Sequence, residues 1–309
     1  MLCNVLAAAT ATLLSGNSAP VADAVRMSTV PFKMETSGNQ GRAMVQVRFN
    51  GHPFPMMIHS NASFVVQLKH KQAREFGIRN MRDVSKGFGI VRPGEVSDLG
   101  FGTGIMDSIQ VGHTRNRNVP VTVFEIPQDD RGMLGIGWIV QNQVVMDYAA
   151  KRATLAPTPA WIAMMRARLL KVGYMACPMT FDEADERYKV QVKIANATRA
   201  MTVATASNTT IDPDYAAAAG ISRGRQVGSG YGPTGTKVPE YAVGSPFAMK
   251  IGEWTTQAHP GITILDHYAY LKARRPTAPN EVSGGGLGSD FLLNHGAVVD
   301  FGNKIIYLR

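Results

Sequence analysis

The sequence predicts an all-β protein with a few short helices, built from one β unit that is duplicated. Three observations carry this. Thirty-one glycines and seventeen prolines are scattered through 309 residues, the punctuation of many turns between short strands. Hydrophobic residues make up 45% and charged residues 18%, which permits a substantial core and excludes wholesale disorder. Most specifically, four blocks of the chain recur in the same order.

The first block is "VQVRFNGHPFPMMIHSNAS" from Val45, which aligns without a gap to "VQVKIANATRAMTVATASN" from Val190. Each continues into a short helix-like stretch closing on Gly-Ile, at Ile78 and Ile221. "VTVFEI" at 121–126 parallels "ITILDH" at 262–267, and "MLGIGWIVQNQVVMDYAAKRATL" at 133–155 parallels "GLGSDFLLNHGAVVDFGNKIIYL" at 286–308. The openings alternate with period two, and Asn50-Gly51 is a hairpin signal, so each copy begins as paired strands. The closing "VVMDYAAKRATL" and "VVDFGNKIIYL" each predict two strands about a tight turn.

Between the copies, "AWIAMMRARLLKVG" (160–173) is the strongest helix, with Trp161, Met164, Met165, Arg168 and Leu169 in one stripe, prolines before it and Gly173 after. It is expected to cover the junction between the lobes; a membrane surface or a partner is the other use of such a basic face. The acidic "FDEADER" (181–187) reads as a solvated linker. The predicted organisation is therefore a leader at 1–25, a first lobe at 28–156, a linker with helix at 157–187, and a second lobe at 188–309.

Residues 1–25 combine an apolar stretch with small residues, as in a signal peptide, so export to a periplasm or the outside is expected if the leader acts as one, and a cytoplasmic location otherwise. No other run is long and apolar enough to cross a bilayer. The net charge of +9 comes from singly placed basic residues without a nucleic-acid motif, so nucleic acid is not an expected partner. Of the two cysteines, Cys3 lies in the leader and Cys177 reads as a buried structural thiol, which disfavours disulfide and cysteine–zinc scaffolds. The seven histidines lack metal-ligand spacing, and Gly284-Gly285-Gly286 lacks the Lys-Ser/Thr of a phosphate loop. No metal or cofactor is expected.

The order of blocks is similar to that of the retropepsin-like and pepsin-like aspartic proteases, whose lobes each carry an Asp-Thr/Ser-Gly-Ala/Ser loop and a later Leu-Gly-x-Asp-Phe-Leu segment. The resemblance covers nearly everything from about Ala43 to Arg309 except the linker, and "LGSDFLLNHGAVVDFGNKIIYLR" is its closest stretch. It implies a bilobal fold, two homologous β-barrel-like lobes around a cleft that holds an extended peptide, and a pair of aspartates sharing a proton, one acid and one base. It also implies that Asp290 is structural.

At the matched positions both aspartates are replaced. The first loop reads His59-Ser60-Asn61-Ala62-Ser63 and the second Ala204-Thr205-Ala206-Ser207-Asn208. Ser60 and Thr205 keep a hydroxyl that can brace one loop against the other. Asn61 is a fair substitute for a glycine at positive φ, and Ala206 a poor one. No catalytic residue is expected; Ser60, Asn61, Thr205, Ala206 and Tyr231, the last within the glycine-rich "GSGYGPTG" (228–235), are expected to lie where a peptide would bind. "GFGTG" (100–104) occupies the corresponding flap region of the first copy. The expected function is that of a pseudoprotease, in all expectation a monomer, holding a peptide or protein segment in its cleft. Two alternatives stay open: a hydrolase using His59 with an acid from elsewhere in the fold, and a membrane- or partner-associated structural protein built on helix 160–173.

Overall fold

The computed structural model describes residues 26–37, 40–84, 100–125, 131–231, 237–258, 261–267, 269 and 283–309. The leader at 1–25 and residues 232–235 of the second copy's glycine-rich stretch lie outside them.

The first copy runs β1 (Ser28–Pro31), β2 (Lys33–Ser37), β3 (Gln40–Phe49), β4 (His52–Ile58), β5 (Val66–Leu68), α1 (His70–Glu75) and β6 (Arg79–Val84). It continues through β7 (Phe101–Val111), β8 (Thr114–Val123), β9 (Gly132–Leu134), α2 (Ile136–Gln141), β10 (Val145–Asp147) and β11 (Arg152–Leu155). Helix α3 (Pro159–Lys171) follows. The second copy opens with β12 (Met175–Asp182), β13 (Arg187–Ile194), β14 (Ala197–Val203), β15 (Thr210–Ile211), α4 (Pro213–Ala218) and β16 (Arg223–Tyr231). It proceeds through β17 (Lys237–Val243), β18 (Ala248–Ile251), β19 (Trp254–Gln257) and β20 (Thr263–Leu265). It closes with β21 (Gly285–Leu287), α5 (Ser289–Asn294), β22 (Val298–Asp300) and β23 (Ile305–Leu308).

The duplication predicted from sequence is reproduced in the pairing of the central strands. In the first copy β4 runs parallel to β9, β5 parallel to β8, and β3 antiparallel to β7. In the second, β14 runs parallel to β21, β15 parallel to β20, and β13 antiparallel to β18. Alternation explains the faces: Ala43, Val45, Val47 and Phe49 of β3, and Tyr188, Val190, Val192 and Ile194 of β13, all enter the main core.

The copies meet in a shared sheet of order β1-β11-β10-β22-β23-β12. At its centre Met146 pairs with Val299, its own counterpart in the block alignment, flanked by Val145 with Asp300 and Asp147 with Val298. Exchanging the copies leaves this register unchanged, so a pseudo-two-fold axis passes between Met146 and Val299.

Helix α3 covers that sheet. Thr158 caps it, its Oγ1 accepting from the Trp161 N–H at 3.2 Å, with Pro159 at the first helical position. Met165 and Leu169, with Trp161 and Ile162, pack on Val145 of one copy and Val298 and Tyr307 of the other. Met164 departs from the expected stripe; it is 66% exposed, because the buried face is centred on Met165.

The acidic stretch 181–187 departs further. It is no solvated linker but the turn of the β12–β13 hairpin, with Asp182 paired to Arg187 in register and Asp185 and Arg187 buried. Asp182 and Asp185 each meet Lys189 Nζ at 2.7 Å, and this ion pairing carries the run inside. Cys177 is buried as expected, its thiol donating to the Ile251 carbonyl at 3.2 Å, and burial pushes its pKa up to about 11.

Candidate functional site

The two loops singled out in the sequence meet at the pseudo-axis. Ser60 N–H donates to Thr205 Oγ1 at 2.9 Å, and Thr205 N–H donates to Ser60 Oγ at 3.1 Å. Each hydroxyl then donates across the junction, Ser60 to the Val203 carbonyl at 2.7 Å and Thr205 to the Ile58 carbonyl at 2.8 Å. All four bonds map onto each other when the copies are exchanged. Ser60 and Thr205 are fully buried, so their hydroxyls brace the loops and face away from any ligand.

Behind each loop sits the Leu-Gly segment. His59 N–H donates to the Leu134 carbonyl and Ala204 N–H to that of Leu287, both at 2.9 Å. Gly135 and Gly288 press against the loops so closely that a Cβ on either would lie 2.2 Å from loop backbone, at the Phe64 oxygen and the Asn208 carbonyl carbon. Asp290 is structural: its Oδ1 accepts from the N–H and the hydroxyl of Thr209, at 2.8 and 2.7 Å.

His59 and Ala204 therefore stand at equivalent positions across the pseudo-axis, each one residue before a bracing hydroxyl. Ala204 is 1% exposed and presents only a methyl group. His59 is mostly buried and its Nδ1 accepts the Asn61 N–H at 3.2 Å, which leaves Nε2 to carry the proton of the neutral ring. Burial, then the charges of Arg187 and Arg42 and the neighbouring His267, push its pKa down to about 3. His267 is pushed down to about 4, by burial and then by Arg187. Both imidazoles are neutral at pH 7.

Asn61 and Ala206, two residues on from His59 and Ala204, have no positive φ, so the backbone strain expected of Ala206 is not present. Ala206 is buried among Met44, Met57, Met133 and Phe64 of the first copy. Those three methionines form one row across β3, β4 and β9. The equivalent row in the second copy is Lys189, Thr202 and Gly286, in the same register. One wall of the junction is thus apolar and the other polar. The side chain of Tyr231 lies outside the described residues, although its backbone ends β16.

Arg187 escaped the sequence reading. It lies on the same strand face as Lys189 and reaches the first copy, its Nη1 donating to Ser63 Oγ at 2.8 Å. The signal was present in the block alignment, which sets Arg42 opposite Arg187, three residues before each Val-Gln-Val opening.

Residues 45–141, which span the first loop and the Leu-Gly helix, match the family model of gag-polyprotein putative aspartyl proteases. No curated protein matches the chain. Among solved structures, a retropepsin-like aspartic protease from Rickettsia conorii is similar over 42% of this chain and 92% of its own, at 14% identity and a TM-score of 0.33. Basic 7S globulin from soybean is similar over 92% of this chain and 95% of its own, at 11% identity and a TM-score of 0.45. Conglutin gamma, a basic 7S globulin from lupine seeds, covers the same shares at 10% identity and a TM-score of 0.49. The chain is thus an all-β protein of two copies, the first of which is similar over residues 45–141 to the gag-polyprotein putative aspartyl proteases.

Proposed function

We propose that this protein is a pseudoprotease, a peptide-binding member of the aspartic-protease fold that does not cleave. One observation carries the reading: the two loops are locked together by four reciprocal hydrogen bonds, and the positions they present are an imidazole and a buried methyl. Peptide hydrolysis in this fold needs two carboxylates close enough to share one proton, so that one activates water while the other protonates the departing group. Ala204 supplies neither role. His59, with Nδ1 engaged and a pKa near 3, is a weak base at neutral pH and carries no proton to donate as a cation.

Binding of an extended segment is supported by the sheet edges. Strands β6 and β16, in equivalent hairpins of the two copies, end their sheets among the described residues, and such an end is where an extended segment adds as a strand. In the loops, Asn61 Oδ1 and Asn208 Oδ1 are buried acceptors without a donor among the described residues, the complement of backbone N–H groups. The test is a cleavage assay of the full chain on a peptide library between pH 3 and 8, beside a binding assay on the same library. Binding without turnover is expected. Robust turnover that His59→Ala abolishes would overturn the proposal.

A further inference from the structure

Arg187 is nine-tenths buried, at 9% exposure, and no carboxylate among the described residues lies within ion-pair distance of it. Its Nη1 contacts are neutral oxygens: Ser63 Oγ at 2.8 Å, the Asp185 carbonyl at 2.9 Å and the Glu186 carbonyl at 3.1 Å. Its Nε is buried and makes no hydrogen bond. The nearby carboxylates of Asp182 and Asp185 are both taken by Lys189, at 2.7 Å each. A buried guanidinium is stable only when its charge is met; here its direct hydrogen bonds go to dipoles, and the Asp185 carboxylate, held by Lys189, acts on it from beyond ion-pair distance. The side on which it meets Ser63 is open, since Ser63 is exposed.

The surroundings add charge of the same sign. Arg42, the repeat counterpart of Arg187, faces the junction from β3, on the strand face that carries Met44. Both arginines and His267 act on His59, and no carboxylate appears among the groups that do. Further out, these sheet-end strands are basic: Arg79 and Arg82 lie on β6, and Arg223 and Arg225 on β16. Arg79 pairs with Asp107 and Arg223 stacks on Tyr241, whereas Arg225 is exposed.

We infer that the cleft selects acidic peptides, with a glutamate or aspartate side chain of the bound segment seated against Arg187 beside Ser63. This rests on the peptide-binding reading and names its ligand class. Nη1 is engaged and Nε is buried, so the second Nη, which takes part in none of these hydrogen bonds, is the donor left for a charge-assisted bond to a carboxylate.

The test uses the full chain and blocked octapeptides of alternating valine and serine, carrying one glutamate at each position in turn, with glutamine counterparts, followed by fluorescence anisotropy at pH 7. At one position or more, glutamate should bind at least tenfold tighter than glutamine, and the ratio should shrink as salt is raised. Arg187→Gln should bring the ratio close to one, and Arg187→Lys should keep part of it. Equal binding of glutamate and glutamine peptides overturns the inference and leaves the cleft reading standing, whereas no binding by any peptide overturns both. A ratio that survives Arg187→Gln also overturns it; should that variant not fold, a ratio unmoved by Arg187→Lys and Arg42→Gln together does so.

Discussion

A single hydroxyl at the pseudo-axis holds two loops at once. Ser60 Oγ accepts from Thr205 N–H and donates to the Val203 carbonyl, and Thr205 Oγ1 does the reverse. Ser60→Ala orphans one buried donor and one buried acceptor, each worth about 1–3 kcal/mol, so a loss of roughly 2–5 kcal/mol is expected in urea unfolding. Thr205→Ser keeps the hydroxyl and should cost about 1 kcal/mol, the loss of one buried methyl. His59 makes a second prediction. Its folded pKa lies below its unfolded value of 6.5, so protonation favours the unfolded chain. The stability it contributes is complete above pH 6.5 and is lost as the pH falls from there towards 3. His267 behaves likewise down to about 4. Asp185 and Asp300, whose pKa values burial raises, act in the opposite sense in both chains and cancel in a comparison. Unfolding free energies of wild type and His59→Gln, measured from pH 7 to pH 4, should therefore diverge, with the variant losing stability less steeply, by up to about 1.4 kcal/mol per pH unit. Parallel curves would remove burial as the cause. The sequence showed where these residues stand because block alignment fixes position. It did not show Arg187, because an acidic run with one arginine has the composition of a solvated turn, and only Lys189 on the next strand reveals that its charges pair inward.

At the scale of elements, the Leu-Gly segments decide how close the loops can come. Gly288 has loop backbone atoms at 2.2–2.4 Å from where a Cβ would sit, and nothing there is the flexible end of a side chain. Gly288→Ala should cost about 3 kcal/mol or more, through overpacking against rigid backbone. Gly286, two residues earlier, is the contrast: a Cβ there meets the Ala204 methyl at an ordinary 3.8 Å, and its counterpart in the first copy is Met133. Gly286→Ala is expected within about 1 kcal/mol of wild type. Urea midpoints of the two variants check the pair, and similar losses would contradict it. Much of the element order was legible because strand alternation and turn residues repeat. What escaped were choices made by tertiary contact: the rotation of α3 that exposes Met164, and the breaking of a long strand pair like β7 and β8 into β17, β18, β19 and β20 in the second copy. Propensity alone does not choose between one long strand and two short ones.

The whole molecule is a dimer written in one chain, and its symmetry sets a competition. The central register, Met146 on Val299, is self-complementary, so a first copy freed from the second could pair β10 with β10 of another first copy. The Ser60–Thr205 lock would also survive, since both residues bring a hydroxyl. Packing around the lock is different. Ala206 is the residue that fits the Met44, Met57 and Met133 row, and in a pair of first copies Asn61 would set a carboxamide there. Burying that amide without partners costs about 1–3 kcal/mol at each of two sites. The pair would also lose the Arg187–Ser63 bond and the α3 surface packed on Val145 and Val298. Residues 26–156 and 157–309, co-expressed as separate chains, should therefore assemble one to one, and native mass spectrometry should find the mixed pair well above the pair of first copies. Ala206→Asn in the second chain should erase much of that preference, by making both junctions alike. A statistical mixture from the unaltered halves would mean that the shared sheet, and not the asymmetric junction, dictates which copies meet.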